Sequence, residues 1–439
     1  MFFSQLDSFD AKERQEALEA FIGLAPSAPS PTANVNMHFH SFFSFNAEGW
    51  SPSRIAWQAR QGGLYAAGLC DFDVLDGLEE FLQAGELLGL RATVNLETRA
   101  FLREYASADI NSPGEPGVTY IMGGGFAAMP EAGTAQARGL QAFRDSARQR
   151  NIELVDRINP HVPDIALDYE RDVLPLTPAG VATERHIIRA YVNKAQAVFG
   201  PGEAVAAYWS ELMGKPADGI RAMLGTPAIE EAVRSKLAKK GGFGYVQPSE
   251  HTFPPVDDFV DWVLSCRAIP LVTWLDGTSD GEADAQAMLE CLTAKGCADL
   301  NIIPDRNWNY KDPDVKALKV TKLEEMVTAA DLMGLPINIG TEMNKAGLPF
   351  VDDLSGEVLS HFRESFVRGA QTMAGHSILL RYADVSYVDC DMPLWRKNEF
   401  FAAVGALPPL TTAVSGMLAE AGASKAFGMI EAAVGNGIW

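Results

Sequence analysis

Two histidines two residues apart are the strongest chemical signal in the sequence. His38 and His40 end an apolar run, in the order Met-His-Phe-His. Side chains two residues apart point to the same side of an extended chain, so both imidazoles can reach one point. Glu97 and Glu342 follow two later apolar runs. Two imidazoles with two carboxylates suit a divalent ion such as Zn, Mn or Fe, although a polar histidine pair at a strand end is the simpler alternative.

These residues require strands that end at a common edge, and the sequence has seven candidates. Short apolar runs alternate with helical patterns, which predicts a parallel sheet with crossover helices. The regular spacing favours an α/β fold of the (β/α) barrel type with seven strands, in which the chemistry lies at the carboxyl ends of the strands. The predicted strands are residues 34–39, 64–70, 91–97, 118–123, 269–275, 299–304 and 335–341.

The remaining segments are helical in pattern. We expect an N-terminal helical extension over residues 1–30, a barrel over 31–400 and a C-terminal helical tail over 401–439. A helical insertion of about residues 124–253 separates the fourth and fifth strands and is a candidate lid.

Composition excludes several partner classes. The chain has 439 residues, with 36 Lys and Arg against 57 Asp and Glu and a net charge of −21. This charge disfavours nucleic acids and anionic membranes, whereas a small anionic substrate needs only one or two arginines. The sequence predicts a cytoplasmic protein for three reasons. The N-terminus has early acidic residues, no apolar run reaches membrane-spanning length, and the five cysteines include no CxxC pair. The sequence leaves the oligomeric state open.

A family resemblance covers most of residues 34–345 and is most specific over 34–100. The chain has His38-x-His40, Ser-Pro-Ser at 51–53, Asp-Phe-Asp at 71–73 with Gly-Leu-Glu-Glu-Phe at 77–81, and Glu97. This order resembles the opening of a PHP (polymerase and histidinol phosphatase) domain. Weaker similarities follow at 182–190, 269–277 and 337–344.

The resemblance implies a distorted seven-stranded barrel with up to three metals that hydrolyses phosphoesters. It assigns one metal to His38, His40, Glu97 and Glu342, the last in place of an Asp. The resemblance implies that the other two sites are lost, because other residues stand at their ligand positions: Tyr120 and Trp274 at the second, and the 45–48 region, Phe72 and Asn344 at the third. The resemblance therefore favours one divalent ion per chain, without the multi-metal clamp on a phosphoryl group.

Other residues near the predicted strand ends are candidates for catalysis and substrate binding. Asp71 and Glu342 are the catalytic candidates, Asp71 as a base or an orienting group. The candidates for binding an anionic or organic substrate are Arg99, Arg185, His186, Arg306 and Trp274.

Three functional hypotheses follow from these residues. The leading one is a PHP-like metal-dependent hydrolase of a small anionic substrate, for which a phosphoester is one candidate. The same ion could instead act as a Lewis acid in an isomerase or lyase reaction on a sugar acid. A PHP-like domain without catalysis, serving as a binding module, is the third.

Overall fold

The computed structural model describes residues 3–24 and 29–439, which fall into two compact units. The barrel unit comprises the described parts of Met1–Ser41, Asn46–Leu140 and Ser249–Trp439, and the helical unit comprises Phe42–Phe45 and Gln141–Pro248. Residues 1–2 and 25–28 of the expected N-terminal extension lie outside the described residues. Within the described ranges, no helix is long and apolar enough to cross a membrane.

The barrel unit contains one sheet of seven strands, ordered as in the chain. A parallel bridge between Phe39 and Glu342 brings the last strand back beside the first, so the sheet is nearly closed. The expectation of an α/β fold with a seven-stranded, barrel-like sheet is therefore confirmed. The strands are β1 Val35–Phe39, β2 Ala66–Phe72, β3 Arg91–Phe101, β4 Val118–Gly124, β5 Ile269–Trp274, β6 Asp299–Ile302 and β7 Ile337–Ile339.

One strand runs against the predicted direction. β4 pairs antiparallel with both β3 and β5, whereas the other pairs are parallel. The link from β3 to β4, residues 102–117, contains a single 3-10 turn, Arg103–Tyr105, and no crossover helix. Parallel neighbours need such a crossover, whereas antiparallel neighbours do not. The expectation of a wholly parallel sheet was thus wrong at β4.

Helices fill the intervals between the strands. Those before β4 are α1 Ala11–Leu24, α2 Pro52–Gln61 and α3 Leu78–Leu88. Those between β4 and β5 are α4 Ala135–Ile158, α5 Glu184–Phe199, α6 Glu203–Met213, α7 Ala217–Met223, α8 Pro227–Leu237 and α9 Val256–Ser265. Those after β5 are α10 Ala285–Ala294, α11 Asp305–Trp308, α12 Pro313–Met333, α13 Arg363–Ala383, α14 Leu394–Ala406, α15 Thr412–Ala421 and α16 Ala423–Asn436.

Local sequence explains where the first crossover helices begin and end. The Ser51 hydroxyl accepts a hydrogen bond from the Arg54 amide and caps α2, and Pro52 occupies the first helical turn. α3 ends at Gly89, whose φ of 63° is left-handed. These helices set the spacing between β1, β2 and β3, and therefore the position of the strand ends.

Helix α13 covers the end of the sheet at which β7 begins. A Cβ atom on Gly369 would lie 2.0 Å from the carbonyl oxygen of Ile337, so only glycine permits this approach. The crossing of α13 and α14 is equally close, because a Cβ on Gly375 would lie 1.9 Å from the carbonyl oxygen of Phe401. α13 therefore packs closely against the start of β7, whereas His38 and His40 lie at the carboxyl end of β1.

The helical unit has its own apolar core. Tyr191 and Trp209 are fully buried at its centre, among side chains from α4, α5, α6 and α8. The Tyr191 hydroxyl donates to Asn159 Oδ1 at 2.8 Å. This unit is therefore packed around residues of its own rather than being a loose loop between strands.

Candidate metal centre

Three of the predicted ligands lie together in the structure. His38 and His40 come from β1 and Glu97 from β3, and all three are at most 1% exposed. Glu97 Oε2 lies 3.5 Å from His38 Nε2 and 3.4 Å from His40 Nε2. The three ligand atoms lie within 4.8 Å of one another. This group could hold a metal ion.

The donor atoms fit a divalent ion in both chemistry and spacing. Two ligands bound at about 2.1 Å in tetrahedral geometry are separated by about 3.4 Å, close to the observed distances. His38 Nε2 and Glu97 Oε2 are buried, and neither atom forms a hydrogen bond within the part of the chain that the structure describes. Buried polar atoms of this kind are rare unless another group satisfies them. Two nitrogen donors and one oxygen donor suit Zn, Mn or Fe.

The ionisation of these groups reflects their proximity. Burial alone would raise the pKa of Glu97, but His38 and His40 lower it to about 2. Burial alone would lower the pKa of His38, but Cys70 and Glu97 raise it well above its usual value. The carboxylate thus favours positive charge at this point, which a proton or a metal ion can supply.

Two residues that the sequence argument missed fix the position of His38. His38 Nδ1 lies 3.0 Å from Asn301 Oδ1 on β6, and both side chains are fully buried. Because the amide oxygen only accepts, His38 donates to it from Nδ1, and Nε2 is the ring nitrogen that faces Glu97. Gly340 lies against His38, since a Cβ there would be 2.2 Å from His38 Cβ. A polar residue in the middle of the apolar run 299–304 was the available signal for Asn301.

Glu342 does not join the three ligands, contrary to the expectation. Its backbone amide donates to His38 O at 2.8 Å, and its carbonyl accepts from His40 N at 2.9 Å. Its side chain turns to Arg306, whose Nη2 donates to Glu342 Oε2 at 2.8 Å. Glu342 and Met343 both have left-handed backbones, with φ of 64° and 55°. The sequence pattern gives no sign of this turn of the chain, which places the carboxylate outside the ligand group.

Asp71 supports the loop that follows β1. Its Oδ1 accepts from the Ser41 amide and its Oδ2 from the Ser41 hydroxyl, both at 2.7 Å. The carboxylate is 2% exposed. Asp71 thereby fixes the residue that follows His40; its role in catalysis stays a prediction.

Aromatic rings stand beside the ligand group. Phe72 stacks on His40 with ring centroids 4.9 Å apart, and Tyr120 meets Phe72 at 5.9 Å. Tyr120 lies near the start of β4, and it reaches this edge because the antiparallel β4 pairs Tyr120 with Arg99 at the end of β3. Arg99 itself binds Glu115 at 2.9 Å and is only partly exposed.

Trp274 lies away from the site, contrary to the expectation. Neighbouring Thr273 pairs with Asn301, and paired residues of adjacent strands face the same side of a sheet. Thr273 therefore faces His38 inside the barrel, and Trp274 faces outward, with its ring near Gly277 and Lys322. The prediction placed the inward-facing residue of β5 one position too late, at Trp274 instead of Thr273. Because side chains alternate along a strand, an error of one residue exchanges the two faces.

Arg185 and His186 both make polar contacts within the helical unit. Arg185 Nη1 binds Glu231 Oε1 at 2.8 Å. His186 Nδ1 accepts from the Thr183 amide at 3.1 Å in the cap of α5. Burial lowers the pKa of His186 to about 3, so it is neutral at physiological pH. These contacts give both residues a role in capping and packing that helix.

Comparisons with known proteins give little further guidance. No family model and no curated protein matches the chain. Among solved structures, an amidohydrolase from Chromobacterium violaceum aligns over 76% of this chain and 96% of its own, with 16% identity and a TM-score of 0.48. A proposed metal-dependent phosphoesterase from Bifidobacterium adolescentis aligns over 76% and 97%, with 18% identity and a TM-score of 0.47. Similarity at this level identifies neither a family nor an activity for this chain.

Proposed function

We propose that this protein is a metal-dependent hydrolase of a small anionic molecule, with one divalent ion held by His38, His40 and Glu97. The observation that carries the proposal is the position of two buried imidazole nitrogens at 3.4 Å and 3.5 Å from one buried carboxylate oxygen. Buried imidazole and carboxylate groups are costly unless they are paired or bind a metal, so the arrangement itself points to a bound cation.

Different residues of the site would bind the metal, support the ligands and orient the substrate. A divalent ion bound here would supply Lewis acidity and lower the pKa of a coordinated water. His38 and His40 would hold the ion through Nε2 and Glu97 through Oε2, while Asp71 fixes Ser41 next to His40. Arg306, whose side chain is 41% exposed, is the cation available to orient the substrate.

An anionic substrate is favoured by the local charge. Two neutral imidazoles and one carboxylate leave a bound divalent ion with one net positive charge, in a protein whose total charge is −21. An anion can bind both this centre and Arg306, which now pairs with Glu342. Phe72 and Tyr120 contribute an apolar wall next to His40. We therefore propose a compact organic anion, and a phosphoester is one member of this class.

Metal analysis of the purified chain tests the proposal. We expect about one ion per chain by inductively coupled plasma mass spectrometry, and none in His38→Ala/His40→Ala. The matched control is His251→Ala, because the side chain of that histidine is 86% exposed and is not part of the ligand group. Its metal content should equal that of the unaltered protein.

Activity measurements then separate the reaction classes. The metal-loaded protein would be assayed with p-nitrophenyl phosphate, bis-p-nitrophenyl phosphate and a panel of lactones and amides that carry a carboxylate. Hydrolysis that His38→Ala abolishes and His251→Ala leaves unchanged would support the proposal. Absence of bound metal after reconstitution with Zn, Mn and Fe would refute it, and two or three ions per chain would refute the single-ion assignment.

A further inference from the structure

A row of polar side chains crosses the barrel interior beside His38. Thr273 on β5, Asn301 on β6 and Asn338 on β7 occupy directly paired positions, so their side chains share one face of the sheet. This face is the interior, because Asn301 Oδ1 meets His38 Nδ1 at 3.0 Å. Each of the three side chains is at most 4% exposed. Polar groups in such a position need a structural or functional reason.

A second amide in this row binds a carboxyl group. Asn338 Nδ2 donates to both Asp299 Oδ1 and Asp299 Oδ2, each at 2.9 Å. Asp299 and Asn301 are two residues apart on β6, so the carboxyl group lies on the same face of the sheet as the Asn301 amide.

The contact with His38 is the one that orients Asn301. Asn301 stands at the position paired with Asn338, but within the described residues neither Asn301 Nδ2 nor Asn338 Oδ1 forms a hydrogen bond, so the two amides are not joined. Asn301 Oδ1 instead lies 3.0 Å from His38 Nδ1. If the Asn301 amide turned over, its NH2 group would face His38.

We propose that Asn301 is a positioning residue which holds His38 in the tautomer that can bind a metal. The oxygen of Asn301 accepts only from a protonated Nδ1, which leaves the Nε2 lone pair directed at the ligand group. A turned Asn301 amide would donate to Nδ1 and place the proton on Nε2, where it would block the metal. This inference rests on the proposed metal site.

Substitutions at Asn301 separate orientation from packing. Asn301→Leu removes the acceptor, and we expect the affinity for Zn²⁺ to fall by roughly 10-fold to 100-fold, the usual effect of losing a hydrogen-bond partner of a ligating histidine. Asn301→Asp keeps an acceptor of the same shape and should retain the affinity of the unaltered protein. Asn338→Leu removes the amide that binds Asp299 but keeps the contact between Asn301 and His38, so it should give a smaller loss than Asn301→Leu.

Thr93→Val is the matched control for a change in the barrel interior. Thr93 is fully buried on β3, and among the described residues its Oγ1 forms no hydrogen bond, so its replacement by an isosteric residue should leave zinc affinity unchanged. Zinc dissociation constants would be measured by competition with a chromophoric chelator, and folding by circular dichroism. A second readout is the NMR signal of the His38 Nδ1 proton in the zinc-loaded protein, which should be protected from exchange and lost in Asn301→Leu.

The outcomes distinguish this inference from the proposed function. Absence of zinc binding by the unaltered protein would refute the proposed metal site and the inference with it. Zinc binding that His38→Ala abolishes but a folded Asn301→Leu retains in full would refute the inference alone. An equal loss in Asn301→Asp and Asn301→Leu would also refute it, because the acceptor would then be irrelevant.

Discussion

Gly340→Ala is expected to weaken metal binding, although residue 340 contributes no ligand atom. A methyl group there would lie 2.2 Å from His38 Cβ, 2.6 Å from its backbone nitrogen and 2.7 Å from Asn36 Oδ1. Carbon atoms in contact are about 3.7 Å apart, so His38 or its neighbour would have to move by about 1.5 Å. Metal–ligand distances tolerate only about 0.2 Å. We expect at least roughly a tenfold loss of zinc affinity, about 1.4 kcal/mol, and about 1–3 kcal/mol of lost stability from overpacking.

The assay for this prediction pairs zinc competition with urea denaturation. The control is Gly416→Ala in α15, where a new methyl group meets nothing within 4 Å. That variant should bind zinc normally and be equally or slightly more stable, because alanine favours a helix over glycine. A folded Gly340→Ala protein with unaltered zinc affinity would refute the argument that close approach to this glycine positions His38.

Three further predictions concern charge, pH and metal removal. Arg306→Gln should weaken the binding of inorganic phosphate to the zinc-loaded protein by about tenfold or more, while zinc affinity is retained. The double variant Arg306→Gln/Glu342→Gln controls for the effect of leaving the Glu342 carboxylate unpaired. Unchanged phosphate affinity, measured by calorimetry, would contradict the role of Arg306. Burial raises the pKa of Asp352 to about 7. Between about pH 4 and pH 7 the folded state therefore keeps a proton that the unfolded state loses, and the free energy of unfolding falls as the pH rises. Asp352→Asn should then stabilise the protein by up to about 4 kcal/mol at pH 8 and by little at pH 4, measured by urea denaturation, and an equal effect at both values would contradict this. Zinc at 100 times its dissociation constant should add about 2.7 kcal/mol to the free energy of unfolding, and a chelator should reverse this only in proteins that retain His38.

The sequence predicted those features that depend on short-range patterns. His38 and His40 were assignable to one side of a strand because the period of a strand is two residues, and seven strands were recognisable from their apolar runs. The direction of β4 depends on the link before it. That link, residues 102–117, lacks a crossover helix, and the absence of a helical pattern there was the signal for a reversed strand.

The errors in the site come from single-residue geometry. Trp274 was assigned inward, whereas the register of β5 with β6 places Thr273 inward, and apolar runs without alternation do not reveal which face is which. Glu342 was expected to bind the metal, but a left-handed backbone directs its carboxylate to Arg306. Asn301 was missed because its importance depends on a residue far away in sequence, His38.

The bridge between β1 and residue 342 places the seam of the barrel at the candidate metal site. The two backbone hydrogen bonds that close the sheet there join Glu342 to His38 and to His40, so each ligand histidine is also part of the closure. Any local opening of the seam would separate the ligands, and an ion that holds both histidines would resist that opening. Amide hydrogen exchange at His40 and Glu342 should therefore slow on metal binding, which makes the backbone at the seam a reporter of occupancy that needs no substrate.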